Sequence, residues 1–231
     1  MKVGRLHRWT IDYHEAVAIQ RRLARRVVEG PPLDRVGMVA AADVSGGRAG
    51  EWIAAAVVVM DAKTLEAVET RCAVMRATWP YVPGLLSFRE VPVVLKAFRQ
   101  VRSRPDLVIC DGQGRAHPRR LGLACHVGLA LDVPTIGCAK SRLIGTVRRE
   151  PGLARGGRAA LTDGRERIGT ALRTRTAVKP VFVSVGHRID LASAERWVLA
   201  TATRYRLPEP SRRAHQAVTA YKKEWAGRGH P

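Results

Sequence analysis

The sequence predicts an α/β fold in which a mixed β-sheet is flanked by helices. Three observations lead there. Three apolar segments of strand length follow one another at short spacing between residues 36 and 77. From residue 106 onward helical and strand-like segments alternate, the pattern that sets parallel strands through right-handed crossovers. Hydrophobic residues make up 46% of the 231 positions, enough for one sizeable core. A single domain over 1–226 is expected, with a frayed tail over 227–231.

Asp12 with Glu15 three residues later is an N-terminal capping arrangement. Ile19, Leu23 and Val27 then recur every fourth residue, as one face of a helix requires, until Gly30-Pro31-Pro32 ends it. Residues 36–44, 52–60 and 67–77 read as an antiparallel meander, with Gly46-Gly47 and Asp61-Ala62-Lys63 as turns. A Pro/Gly-marked loop covers 79–86. A helix is expected over 88–102 with Pro92 in its first turn, where a missing N–H is harmless. A short strand at 106–110, a helix from about 119 to 131 and a strand at 135–138 follow. The Gly- and Arg-rich stretch 151–165 reads as a mobile surface loop. Strands at 167–173 and 181–185, a helix over 191–204 and a last helix over 211–225, N-capped by Ser211, complete the chain. Architectures of this kind include the ribonuclease H-like fold. Several other α/β folds fit the same pattern, and a fold does not fix a function.

Forty Lys and Arg stand against twenty Asp and Glu, a formal charge of +20. Self-repulsion on that scale opposes compaction, and a polyanionic partner relieves it, which points to nucleic acid. A dispersed, solvated basic surface is the alternative. Charge does not separate DNA from RNA, or an enzyme from a passive binder. The first ten residues lack the apolar run of a secretory leader, and no stretch approaches the ~18 apolar residues of a membrane span. A cytoplasmic monomer is expected. Cys72, Cys110, Cys125 and Cys138 form no CxxC pair, which argues against zinc and for reduced thiols. Gly-Cys-Ala-Lys-Ser at 137–141 lacks the glycine spacing of a P-loop, which excludes a nucleotide triphosphate site of that type.

Asp43 lies at the end of the first apolar strand and Asp111 at the end of the fourth, before Gly-Gln-Gly. An ionised Asp in an apolar strand needs partners or a metal. If those two strands are adjacent and parallel, both carboxylates emerge at the same sheet end, where α/β folds place functional groups. Glu90, opening the intervening helix, reaches the same place. Three carboxylates around a hole suit oxygen-liganded Mg²⁺ or Mn²⁺, and such a centre polarises a phosphodiester. Taken singly, each Asp reads as a turn or cap residue and Glu90 as a first-turn helix charge. The combination with the basic balance is what makes a metallonuclease competitive.

The segments WPYVPGLLSFRE (79–90), DLVICDGQGRAHPRRLGLACHVGLALDVPTIGCAKSRLIG (106–145) and YRLPEP (205–210), followed by Ser-Arg-Arg-Ala-His, resemble the endonuclease V family. The similarity runs in order from Trp9 to about His215. The resemblance implies a ribonuclease H-like fold and a Mg²⁺-dependent (or Mn²⁺-dependent) repair endonuclease acting on deaminated adenine. Such an enzyme hydrolyses the second phosphodiester bond 3′ of deoxyinosine and leaves 3′-hydroxyl and 5′-phosphate ends. By resemblance, Asp43 and Asp111 are metal ligands and Glu90 completes the acidic centre. Lys140 matches a lysine near that centre, where a cation steadies the phosphate in the transition state. His215 matches a histidine near the metal; beside the apolar stripe Ala214, Ala217, Val218 and Tyr221, it reads equally as a semi-buried structural histidine. The family places an aromatic residue shortly after Asp-Val-Ser, and here Gly46 and Gly47 stand instead, which puts loop packing rather than chemistry in question.

Pro80, Tyr81, Val82 and Pro83 match the family's wedge, in which an aromatic ring stacks where a base has been removed. Gly84, Leu86, Gly112, His117, Gly122 and Leu123 align with its base pocket. Glycines let backbone N–H groups approach a base closely, and hypoxanthine presents a carbonyl acceptor where adenine presents an amino donor. Arg119, Arg120 and Arg142 are either phosphate contacts or solvated charges. The competing readings are an endoribonuclease on inosine-containing RNA, decided by 2′-hydroxyl contacts, and a non-catalytic nucleic-acid binder.

Overall fold

The helix announced by the capping residues forms as expected. In the computed structural model, which describes residues 1–46 and 51–227, α1 spans Tyr13–Ala24. The Asp12 side chain accepts from the Glu15 N–H at 2.8 Å, and Glu15 accepts from the Asp12 N–H at 3.2 Å. The helix stops before Val27, because the N–H groups of Arg26 and Val27 fold back onto the carbonyls of Leu23 and Ala24. Val28 then leaves to meet Arg188 and His187.

The meander is present as β1 (Met38–Gly46), β2 (Trp52–Asp61) and β3 (Ala67–Arg76). The expected turn at Gly47 lies outside the described residues, and Gly46 closes β1 against Ile53. Helix α2 spans Leu86–Gln100, two residues earlier than the sequence suggests. Pro92 therefore sits in its second turn and removes one internal hydrogen bond. Burial of Val91, Val94, Leu95 and Phe98 offsets that loss, each such side chain contributing about 1.5–3 kcal/mol.

Strand β4 (Leu107–Cys110), helix α3 (Leu123–Leu131) and strand β5 (Thr135–Ala139) follow. Helix α3 starts four residues later than expected. Arg120 has φ +55°, a left-handed conformation that no helix continues through. Gly122 is the N-cap, and a Cβ there would lie 2.3 Å from the Gln113 carbonyl oxygen. The remaining strands are β6 (Thr146–Val147), β7 (Arg158–Asp163), β8 (Glu166–Leu172) and β9 (Val181–His187). The expected surface loop at 151–165 is thus half wrong. Its second half is β7, which turns through Gly164 into β8. Its outward charges hide the alternation that marks a strand. Helix α4 spans Leu191–Thr201, three residues shorter than expected, and α5 spans Glu209–Gly227. Ser211 is not the N-cap: it lies within α5, and its buried hydroxyl has no partner among the described residues. Residues 228–231, most of the expected frayed tail, lie outside the described residues.

Among the described residues the nine strands form one sheet in the order β3-β2-β1-β4-β5-β9-β8-β7-β6. β1, β4 and β5 run parallel, and the other pairings are antiparallel. One face carries α2 and α3, with Ala40, Ala42, Val108 and Cys110 meeting Val94, Phe98, Leu123 and Val127. The other carries α4 and α5, with Val39, Ala41, Leu107 and Ile109 packed toward Val198 and Ala214. No described helix is long and apolar enough to cross a membrane. All four cysteines are free thiols.

Candidate active site

Parallel pairing decides where the carboxylates stand. Ala42 of β1 is in register with Cys110 of β4, so Asp43 and Asp111 stand side by side where that ladder ends. Strand β1 itself runs on to Gly46, so Asp43 lies within it rather than at its end as expected. Alternation along β1 and β4 sends both toward the α5 face, and α5 supplies His215 there. Its Nδ1 lies 2.7 Å from Asp43 Oδ2, and its side chain is 63% exposed, so it is not the semi-buried stripe residue allowed for above. Lys140, just past β5, donates from Nζ to Asp111 Oδ2 at 2.5 Å.

Glu90 comes from the opposite face, in the second turn of α2 rather than at its start. Burial, and then the charges of Asp43 and Asp111, push its carboxyl up to about 8. For Lys140, burial works against the charge. The Asp111 hydrogen bond and the Asp111 and Asp43 charges outweigh it and raise the ammonium above its ordinary value. Asp43, Glu90, Asp111, Lys140 and His215 line one cavity of about 280 Å³. Among the described residues no three His, Cys, Asp or Glu side chains are gathered so as to grip an ion as they lie. Two of the carboxylates turn to His215 and Lys140 instead. The donor set still fits a hard divalent cation. Three carboxylates line the one cavity, and burial first, then the charges of the other two, drive Glu90 toward its neutral form, a penalty that a bound cation would offset.

A second cavity, of about 290 Å³, shares Leu86, Asp111, Leu123 and Lys140 with the first. Gly84, Leu86, Gly112, His117, Gly122 and Leu123 all line it, with Tyr81 and Pro83 at its edge. The Tyr81 side chain is not packed inside; the residue is 71% exposed. The loop carrying it is anchored on either side. Trp79 is buried and its carbonyl accepts from Arg89 Nη1 at 2.6 Å, and Leu85 closes a turn onto the Val82 carbonyl at 2.9 Å. Gly84 has φ +77°, open to glycine at no steric cost. Its carbonyl accepts three hydrogen bonds, from Gln20 Nε2 (2.9 Å), His117 Nε2 (3.0 Å) and Arg119 Nη2 (2.7 Å).

His117 donates from Nε2, so its Nδ1 is the acceptor of the Arg119 N–H at 3.2 Å. Burial, then Arg119, lower its pKa to about 4 and keep the ring neutral. Two expectations need correction. The N–H of Gly112 donates to Cys110 and that of Gly122 to Gly114, so these amides are committed to the fold and shape the cavity rather than face a base. Arg119 and Arg120 are not freely solvated charges, since both have partners within the chain. Arg119 also donates to Gln20, and Arg120 pairs with Asp163 and Glu166 at 2.8 and 2.7 Å. Gln113, Ser141 and Leu143 also line the cavity, unmarked in the sequence reading. The Gly-Gln-Gly turn was the one signal for Gln113, whose Nε2 donates to the Ser141 carbonyl at 2.9 Å.

An acidic cavity beside the ends of parallel strands, adjoining a cavity edged by an exposed aromatic ring, fits the class of nucleases. The comparisons specify the kind. A family profile described as Endonuclease V matches residues 21–216. The endonuclease V of Alkalilimnicola ehrlichii is 48% identical over 221 residues, 95% of this chain and 97% of that protein. The endonuclease V structure from Streptomyces avermitilis superposes with a TM-score of 0.89 at 44% identity, covering 98% of this chain and all of the other. The Ciona intestinalis endonuclease V, in complex with a 23mer DNA containing an inosine followed by a ribo-adenosine, gives a TM-score of 0.81 at 26% identity, covering 93% and 99%. The chain belongs to the endonuclease V family, and its fold is ribonuclease H-like.

Proposed function

We propose that this protein is a Mg²⁺-dependent repair endonuclease that recognises deoxyinosine in DNA. In this reading it hydrolyses the second phosphodiester bond 3′ of the lesion and leaves 3′-hydroxyl and 5′-phosphate ends. The observation that carries the proposal is the junction of the two cavities at Leu86, Asp111, Leu123 and Lys140. A base seated in one sets its own strand against the carboxylates of the other.

Asp43, Glu90 and Asp111 would hold Mg²⁺, or Mn²⁺ in its place. Such an ion supplies Lewis-acid stabilisation of the charge that develops on the phosphodiester oxygens. Lys140, held against Asp111, is positioned to balance negative charge on the phosphate. His215 holds Asp43 through its Nδ1 and would orient that carboxylate toward the ion. Tyr81 fills the gap of the extruded base, and the stack it offers partly offsets unstacking. Gly84, Leu86, Gly112, Gly122 and Leu123 give the second cavity its shape, and His117 holds its rim.

The test is cleavage of matched DNA and RNA duplexes, each with one inosine, in Mg²⁺ and in chelator, with the ends mapped. DNA cut one nucleotide beyond the inosine's own 3′ linkage, only with metal, is the expected result. Metal-independent cutting, or binding without cutting, would overturn it. The DNA bound by the Ciona protein carries a ribo-adenosine after the inosine, and a stronger cut in the RNA duplex would reassign the substrate of this chain to RNA.

A further inference from the structure

A third cavity, of about 560 Å³, shares Lys140, Ser141 and Arg142 with the base cavity and continues to Lys179, Phe182 and Arg206. Lys140 therefore lines all three cavities. The charged lining of the third is Lys140, Arg142, Lys179 and Arg206 against one carboxylate, Glu150. Arg206 is fixed in place. Its Nη2 donates to the carbonyls of Lys140 (2.6 Å) and Pro180 (2.7 Å), and its own carbonyl accepts from Thr174 Oγ1 at 2.6 Å. Its Nε is buried without a partner among the described residues. Arg142 and Lys179 are exposed, and neither makes a hydrogen bond or ion pair among the described residues. This separates them from Arg119 and Arg120, which spend their guanidinium groups on the fold.

A cavity with three cations beyond Lys140 and apolar walls such as Phe182 is a place for an anion, since low-dielectric walls strengthen each charge interaction. A nucleic-acid strand repeats its negative charge at every nucleotide. A strand with its base in the second cavity and its cut bond at the carboxylates passes Lys140 and continues along the same chain of residues. We propose that this third cavity binds a backbone phosphate of the cut strand, outside both the recognised nucleotide and the cleaved bond. The proposal rests on the function proposed above for the register of that strand.

Lys179 touches only the third cavity, so Lys179→Ala isolates it. Binding of the full chain to a single-stranded oligonucleotide with one inosine is followed by fluorescence anisotropy in chelator across a salt series. Wild type should show the steeper dependence. Lys179→Ala should lower the slope of log K against log salt by about 0.7, one phosphate's worth on a single strand. Lys179→Arg should restore it, and Arg104→Ala, at the opposite end of β4, should leave it unchanged. A neutral methylphosphonate is then moved along the strand. It should weaken wild-type binding at one linkage outside the cleaved bond, a loss absent in Lys179→Ala. An unchanged slope, a loss equal to that of Arg104→Ala, or a linkage pattern that survives the substitution overturns the proposal. So does inorganic phosphate, at matched ionic strength, competing selectively with wild type, which would make this a free-phosphate site. If wild type binds inosine and adenine strands alike, the functional reading fails, while the slope comparison still decides the cavity.

Discussion

The two cavities that meet at Asp111 and Lys140 are held in place by opposite means. In the acidic one, strand register puts Asp43 and Asp111 side by side, and a hydrogen bond with His215 and an ion pair with Lys140 trim their orientation. In the other, a loop is pinned by hydrogen bonds from Gln20, His117 and the Arg119 guanidinium that converge on one carbonyl, that of Gly84, with no carboxylate involved. A sheet positions the groups proposed for chemistry, and a clamp of side chains positions those proposed for recognition. Substitutions on the two sides should therefore fail differently.

The largest effect is expected at the acidic side. Asp111→Asn should lower cleavage by roughly two to three orders of magnitude or more, the scale of losing one transition-state contact, with the melting temperature kept. Near wild-type turnover in Mg²⁺ by the folded variant would remove Asp111 from the proposed metal site. On the other side, the signature is stability against pH. His117 is held near 4 instead of 6.5, chiefly by burial. The unfolded chain takes up this proton near 6.5, so the stability from the buried neutral ring is complete above that pH and drains as the pH falls toward 4. The full loss is on the order of 3 kcal/mol. His117→Gln should flatten this part of the acid profile in urea unfolding at pH 7 and pH 5. Some slope remains from His126, which burial lowers to about 3. An identical profile in the variant would show that the clamp does not depend on a neutral imidazole.

Tyr81→Ala comes next, because base–aromatic stacking is worth roughly 1–3 kcal/mol. Binding of inosine duplex should weaken by about one to two orders of magnitude, while saturating enzyme recovers much of the cutting. Tyr81→Phe should be milder, and the defect should shrink on single-stranded substrate. Equal defects on both strands together with a lower melting temperature would mean that the ring supports the fold instead. The smallest effect is expected for Arg119→Ala, which removes bonds to Gly84 and Gln20 but leaves the Gly84 carbonyl its bonds from Gln20 and His117. KM for inosine substrate should rise with kcat nearly unchanged. A fall in kcat alone would tie the clamp to the acidic side and erase the contrast.

Much of the site was legible because it sits where periodicity is strong. Asp43 and Asp111 follow apolar runs, while the adjacency of their strands entered the reading only as a condition, which the parallel β1–β4 pairing meets. Side-chain clamps left no such trace. Nothing in the sequence says that Arg119 turns inward to Gly84 and Gln20, or that Arg120 adopts φ +55° and holds α3 back to Leu123. Strand β7 was missed because its outward residues include Arg158 and Asp163, which read as loop. The start of α5 was misplaced because Ser211 looks like a cap, while Glu209 and Pro210 already fill the first turn. The amides of Gly112 and Gly122 show the same limit: residue type announces close approach, but not which carbonyl takes the N–H.

Helix α2 begins with Leu86, which lines both cavities, and carries Glu90 four residues later. Those residues lie about 6 Å apart along the axis. The same helix is tied through Arg89 to Trp79, at the root of the loop that bears Tyr81. In the proposed reaction it works as a ruler, with the damage mark at one end of a single turn and the blade at the other. A residue inserted between Leu86 and Glu90 would swing the carboxylate around the helix by about 100°. Cutting would then be lost rather than moved to a neighbouring bond, because a rigid turn has no intermediate graduation.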